Sequence, residues 1–135
     1  EAGGTVWFDP ELRVGYRLRG TLSGLARQFF DYGRWKRVVV GRHPRSLRWR
    51  QVVPPVATLG VAAGLVVGAW WPPALVVPAG YLTVVVSVSL AVGRRPATML
   101  RLLAVYPTLH LSWGMGFLAG PPREARRRAA GQDAS

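Results

Sequence analysis

The sequence has no cysteine. That excludes disulfides, thiol nucleophiles and thiolate zinc sites, and leaves the redox compartment open. Acidic residues are scarce: Glu1, Asp9, Glu11, Asp31, Glu124 and Asp133 are all there are. None of them forms an Asp-x-Asp pair able to hold a divalent ion on a diphosphate. Histidine occurs only as His43 and His110, each far in sequence from any carboxylate, so a metal site is not expected from this chain. Ser, His and Asp occur in no nucleophilic-triad pattern. The glycines lack the spacing of a phosphate-binding loop or a dinucleotide fingerprint. Lysine is nearly absent as well, since 17 of the 18 basic residues are arginine; that bias suits a GC-rich coding sequence better than a chemical demand. No internal repeat, heptad pattern or low-complexity linker is present.

What the sequence does have is unevenly placed charge. The net charge is +12, which points to anionic partners such as lipid headgroups, nucleotides or nucleic acid. Residues 1–50 carry eleven basic and four acidic residues, a net +7, and residues 94–135 carry seven and two, a net +5. Residues 51–93 carry no charge at all. A soluble basic domain would not leave 43 consecutive residues uncharged, so the pattern favours a membrane over nucleic acid. The chain does not begin with Met and shows no secretory signal; it reads as a fragment or a processed piece.

The expected fold is mainly α and integral to a membrane. TVWF (5–8) and LRVGYR (12–17), separated by Asp9-Pro10, suggest a short β-hairpin. Residues 21–40 suggest an amphipathic helix capped by Thr21 or Ser23. Leu22, Leu25, Ala26 and Phe29 form its apolar stripe; Arg27, Asp31 and Arg34 share another face, and Gln28, Tyr32 and Trp35 a third. Gly33 weakens the helix and is expected to kink it. A basic helix with aromatic residues suits a bilayer interface.

Two uncharged runs of 20 residues follow, 52–71 and 74–93. At 1.5 Å per residue, about 20 residues cross the roughly 30 Å hydrocarbon layer. Trp49, Trp70 and Trp71 flank the first run, as an aromatic belt would. Pro72-Pro73 join the two runs and Arg94-Arg95 end the second. Arginines at both outer ends place residues 1–50 and 94–95 in the cytoplasm and the WWPP loop outside.

The third apolar stretch, 99–120, admits two readings. It is long enough to span, but Pro107, His110, Gly114 and Gly116 are expected to interrupt it. The basic REARRR that follows belongs on the cytoplasmic side too. Two cytoplasmic ends favour a re-entrant or interfacial segment over a spanning one. The chain therefore divides into residues 1–50 with the interface helix, the membrane region 51–120, and a basic disordered tail 121–135.

Several motifs in order resemble a known family. EAGG-x-VWF, VGYRLR, RQFFDYGRW and HPRSLRWRQVVPP resemble the end of the catalytic part of membrane-bound family 2 glycosyltransferases. The closest likeness is to the bacterial branch of succinoglycan-type polysaccharide synthesis. HLSWGMGF is similar to a segment of the same branch. The likeness covers roughly residues 1–120; each motif alone is weak, and their order and spacing carry it.

It implies the C-terminal portion of an enzyme of the bacterial inner membrane, a remnant of a GT-A α/β fold. The donor-binding core, the Asp-x-Asp metal motif and the acidic general base would lie upstream of Glu1. The complete enzyme would use Mg or Mn, and this chain holds no cofactor of its own. It would move a sugar from a nucleotide sugar to a lipid-linked or glycan acceptor, with membrane lipids and no nucleic acid as further partners.

The related processive synthases carry a Gln-x-x-Arg-Trp motif. Here five residues separate Gln28 from Arg34-Trp35, which departs from that spacing. The resemblance implies substrate-binding roles for Gln28, Arg34 and Trp35, with Arg17 and Arg19 helping to hold diphosphate or acceptor. It implies no catalytic residue in the chain. The alternative function is a small basic membrane anchor or subunit without activity.

Overall fold

The computed structural model describes residues 20–125. The β-hairpin expected over 5–17 lies outside the described residues, as do Arg17 and Arg19. Among the described residues there is no strand; four helices hold most of the chain. They are α1 (Leu22–Arg42), α2 (Val53–Gly68), α3 (Val76–Val92) and α4 (Pro96–Ala119).

α1 starts at Thr21, whose hydroxyl accepts from the Gly24 N–H at 3.2 Å. This satisfies one of the donors that a helix start leaves open. The helix runs unbroken through Gly33 to Arg42. Gly33 does not break the helix, and the glycine has another use. A Cβ there would collide with the Trp113 carbonyl and lie 2.7 Å from the Phe117 nitrogen. Gly33 is what lets the α1 backbone touch the α4 backbone. Gly116 of α4 mirrors it, because a Cβ there would strike the Phe30 carbonyl oxygen.

Two short 3₁₀ turns, Pro44–Ser46 and Trp49–Gln51, lead from α1 into α2. Gln51 steadies the second by accepting from the Arg48 N–H at 3.1 Å. Pro54 and Pro55 fall in the first turn of α2, where a missing N–H costs nothing. The next turn, Pro72–Leu75, reverses the chain into α3. α2 and α3 pack as a hairpin through small residues. Gly64 faces Pro78 and the Ala74 carbonyl, and Gly68 faces Leu75. Small residues at such contacts let helices approach where the surroundings offer no hydrophobic gain.

α4 is one continuous helix of 24 residues. Neither Pro107 nor the glycines interrupt it. A re-entrant loop turns back within its own length, and this segment does not. Gly114 and Gly116, two positions apart, point about 200° apart around the helix. Gly116 meets α1, while a Cβ on Gly114 would collide with Thr58 and lie 2.5 Å from the Pro54 carbonyl oxygen of α2. The GMG sequence thus packs α4 between two helices. Val85 and Phe117 are the buried apolar residues, joined by buried Ser89 and Ser112. Ser89 donates to the Val85 carbonyl at 2.7 Å, which removes the cost of burying its hydroxyl.

Three helical segments are long and apolar enough to cross a membrane: Trp49–Gly68, Pro72–Val92 and Pro96–Ala125. The sequence led to two, with the third left open. Replacing Gly116 by Val should lower the stability of the helical assembly by about 2–3 kcal/mol, since backbone stands where the side chain would go. Gly80→Ala is the control, because nothing lies within 4 Å of a Cβ there. Thermal melts in detergent compare them; equal midpoints would contradict the backbone contact.

Candidate functional site

α1 carries the candidate residues on two faces. Gln28 donates to the Tyr32 hydroxyl at 2.7 Å, one helical turn on. Phe29 lies against Tyr32 with ring centroids 5.6 Å apart. Trp35 continues this side, seven residues from Gln28. Tyr32 is 49% exposed and Trp35 44% exposed, so the two rings are accessible, with Gln28 half-buried beside them. An amide beside two aromatic rings can hydrogen-bond and stack on a sugar, or sit at a headgroup layer.

Arg34 is turned elsewhere. Its guanidinium donates from Nε to the Gly120 carbonyl at 3.3 Å and from Nη2 to the Pro121 carbonyl at 3.2 Å. It also lies 5.9 Å from the centroid of the Phe30 ring. The last carbonyls of a helix lack intrahelical partners and carry partial negative charge. Gly120 has φ 83°, a backbone conformation that glycine adopts freely and other residues rarely do. Arg34 thus holds the C-terminal end of α4 from outside. Arg37 adds a second link, 5.2 Å from the centroid of the Phe117 ring, and Phe117 stacks on Trp113 at 5.5 Å. Lys36 donates to the Ser46 carbonyl at 3.0 Å and pins the turn after α1.

The structure therefore places Gln28 and Trp35 on one face and sends Arg34 toward α4. The sequence already set Arg34 about 100° from Trp35, and in an unbroken helix nothing brings it round. The Arg34 clamp was not foreseen. Its only sequence signal is a helix-ending glycine, Gly120, followed by two prolines. Among the described residues no group of three or more His, Asp or Glu could hold a metal ion. His110 meets the Tyr81 ring edge-on at 6.4 Å. Compared with known proteins, the chain matches no family model, no curated protein and no solved structure.

Arg34→Gln should free the end of α4. A charge-assisted bond of this kind is worth about 1.5–3 kcal/mol. Amide exchange at residues 117–120 should accelerate by roughly tenfold or more, while Trp35→Ala leaves it unchanged. Equal exchange in Arg34→Gln and the parent chain would remove the clamp.

Proposed function

We propose that the chain is the C-terminal membrane region of a glycosyltransferase, one that moves a sugar from a nucleotide sugar to a lipid-linked or polysaccharide acceptor. The observation that carries this is the ordered set of motifs from VWF to QVVPP. The RQFFDYGRW portion falls on an amphipathic helix that exposes Tyr32 and Trp35 and leads through two short turns into an apolar hairpin. Gln28 and Trp35 would face the acceptor. Arg34 would act mainly by fixing that helix to α4, with any contact to diphosphate secondary. Arg17 and Arg19 would supply charge for the departing diphosphate. Donor site, divalent metal and general base would come from residues upstream of Glu1.

In this reading α2 and α3 cross the bacterial inner membrane, with residues 1–50 in the cytoplasm. α1 and α4 lie together along the cytoplasmic face. Their pairing supports this. The two helices run side by side in the same direction, from Leu22 and Leu25 near Leu100 and Ala104 to Gly33 near Trp113 and Phe117. If α4 crossed the bilayer it would take α1 with it. α1 holds Arg27, Asp31, Arg34, Lys36 and Arg37, and each charge at the centre of a span costs about 3 kcal/mol. Moreover, α4 meets α2 at Pro54 and Thr58, at its arginine-flanked end, and Met99 of α4 packs on Gly93. The contacts at Gly64 and Gly68, nearest the WWPP loop, are between α2 and the chain around α3, while α4 reaches along α3 as far as Tyr81, which meets His110.

Two experiments test these points. The coding sequence upstream of Glu1 should continue in frame into an α/β domain with an Asp-x-Asp pair and a later acidic motif. In that complete enzyme, Trp35→Ala should lower glycosyl transfer by roughly tenfold, the worth of one stacking contact, without releasing the protein from membranes. A stop codon directly upstream, with a native mass of 14.8 kDa, would favour the non-catalytic anchor instead. For topology, the absence of native cysteine makes single-cysteine labelling clean. Arg45→Cys and Arg123→Cys should react with an impermeant maleimide from the same side, and Pro73→Cys from the other; all three positions are exposed. Labelling of Arg123→Cys with Pro73→Cys would make α4 a third span.

A further inference from the structure

From Tyr32 to Arg123 the chain holds eleven basic residues and no acidic one. The structure divides them by use. Arg34 and Lys36 are half-buried and spend their donors on backbone carbonyls, and Arg37 lies over the Phe117 ring. Arg42, Arg45, Arg48 and Arg50 are exposed, four guanidiniums within nine residues where α1 gives way to α2. Arg94 and Arg95 are exposed between α3 and α4. Among the described residues Arg42, Arg45, Arg50, Arg94 and Arg95 make no hydrogen bond or ion pair. The hairpin brings the two sets to one end. Its closed end is the turn Pro72–Leu75, where Gly64 meets Pro78 and Gly68 meets Leu75. The start of α2 and the end of α3 form the open end, and Val53 and Val88 line one groove there.

Trp49 stands between Arg48 and Arg50 in sequence and is 77% exposed. It shares a shallow hollow with Val52, Val53 and Val56 at the start of α2. An exposed indole among guanidiniums, beside an apolar wall, suits the layer where headgroups meet hydrocarbon. A soluble polyanion would use the arginines and leave the indole and the valines uncovered. We propose that the free arginines at the open end of the hairpin form a surface selective for anionic phospholipid headgroups, with Trp49 fixing its depth. Their forked donors suit phosphate. A zwitterionic headgroup offsets its phosphate with its own cation, so the surface prefers a lipid with net negative charge. Arg34 and Lys36 add little, because their donors are already bound. The proposal rests on the hairpin lying in a bilayer and not on glycosyl transfer.

The test reconstitutes the full chain in phosphatidylcholine vesicles. Electron spin resonance then compares how much spin-labelled phosphatidylglycerol and spin-labelled phosphatidylcholine the protein immobilises. Phosphatidylglycerol should be preferred by roughly fivefold at low salt, about what one arginine near an anionic headgroup supplies, and the preference should shrink at high salt. Arg45→Gln/Arg50→Gln should at least roughly halve it. Arg45→Lys/Arg50→Lys should retain it. Arg34→Gln/Lys36→Gln removes the same charge and should leave it unchanged, with helix content of every variant checked by circular dichroism. No preference in the parent chain, or equal loss in the two Gln doubles, would overturn the proposal and leave the hairpin reading standing. Displacement of phosphatidylglycerol by pyrophosphate at matched ionic strength would overturn the lipid assignment and give the arginines to a soluble polyphosphate. Extraction of the parent chain from the vesicles by alkaline carbonate would overturn the hairpin reading, and the lipid surface with it.

Discussion

The contact on which the arrangement depends is backbone against backbone, where Gly33 of α1 meets Trp113 and Phe117 and Gly116 of α4 meets Phe30. Neither glycine has a side chain to keep the helices apart. On the opposite side of α4, Gly114 does the same toward Pro54 and Thr58. Two glycines separated by one methionine therefore make α4 the middle member of the assembly. Among the described residues the buried apolar side chains are few, Val85 and Phe117. Close helix approach, with the dispersion contacts it brings, replaces a conventional core.

This pairing has an electrostatic consequence. α4 by itself is apolar enough to cross a bilayer. α1 is not, since it holds five charged residues between positions 27 and 37. Locking the two side by side means that neither chooses its depth alone. The charges of α1 draw the pair toward the headgroups, where each basic residue near anionic lipid gains about 1 kcal/mol. The apolar face of α4 draws it toward the chains. In the proposed arrangement, a helix pair lying in the plane of the interface would satisfy both, and would reconcile the basic segments on either side of α4 with the charge rule for cytoplasmic loops.

How much of this was legible in the sequence follows from what each pattern encodes. Length and lack of charge over 51–93 gave two apolar helices with a tight reversal at Pro72-Pro73, and both are present. The start of α1 at Thr21 was legible because capping is local chemistry. The uses of Gly33, Gly114 and Gly116 were not. Local propensity reads a glycine as a weak point, whereas its value here lies in a helix some 80 residues away in sequence. Pro107 misled for a related reason. The rule that proline breaks helices assumes that the freed carbonyl has nowhere to go, and packed helices in apolar surroundings tolerate it. The alignment of Gln28, Tyr32 and Trp35 was legible from period alone, and the Gln28–Tyr32 hydrogen bond joins two of its members.

Arg34 shows why motif and geometry need to be weighed together. As a residue type it suits a phosphate, with a planar fork of donors and a permanent charge. In the structure the same fork closes on two carbonyls at the end of α4. Those carbonyls are a weaker partner than a diphosphate, so a diphosphate within reach would compete for the fork. Releasing Arg34, however, would loosen the end of α4 and with it one side of the Gly33–Gly116 contact. Any anion bound by Arg34 would therefore be coupled to how firmly α1 is held against the membrane region. The face of Gln28 and Trp35 lies on that same helix. Ligand chemistry on α1 and the packing of α4 are thus linked through a single guanidinium, and the strength of the carbonyl clamp sets how much a bound anion can alter the site.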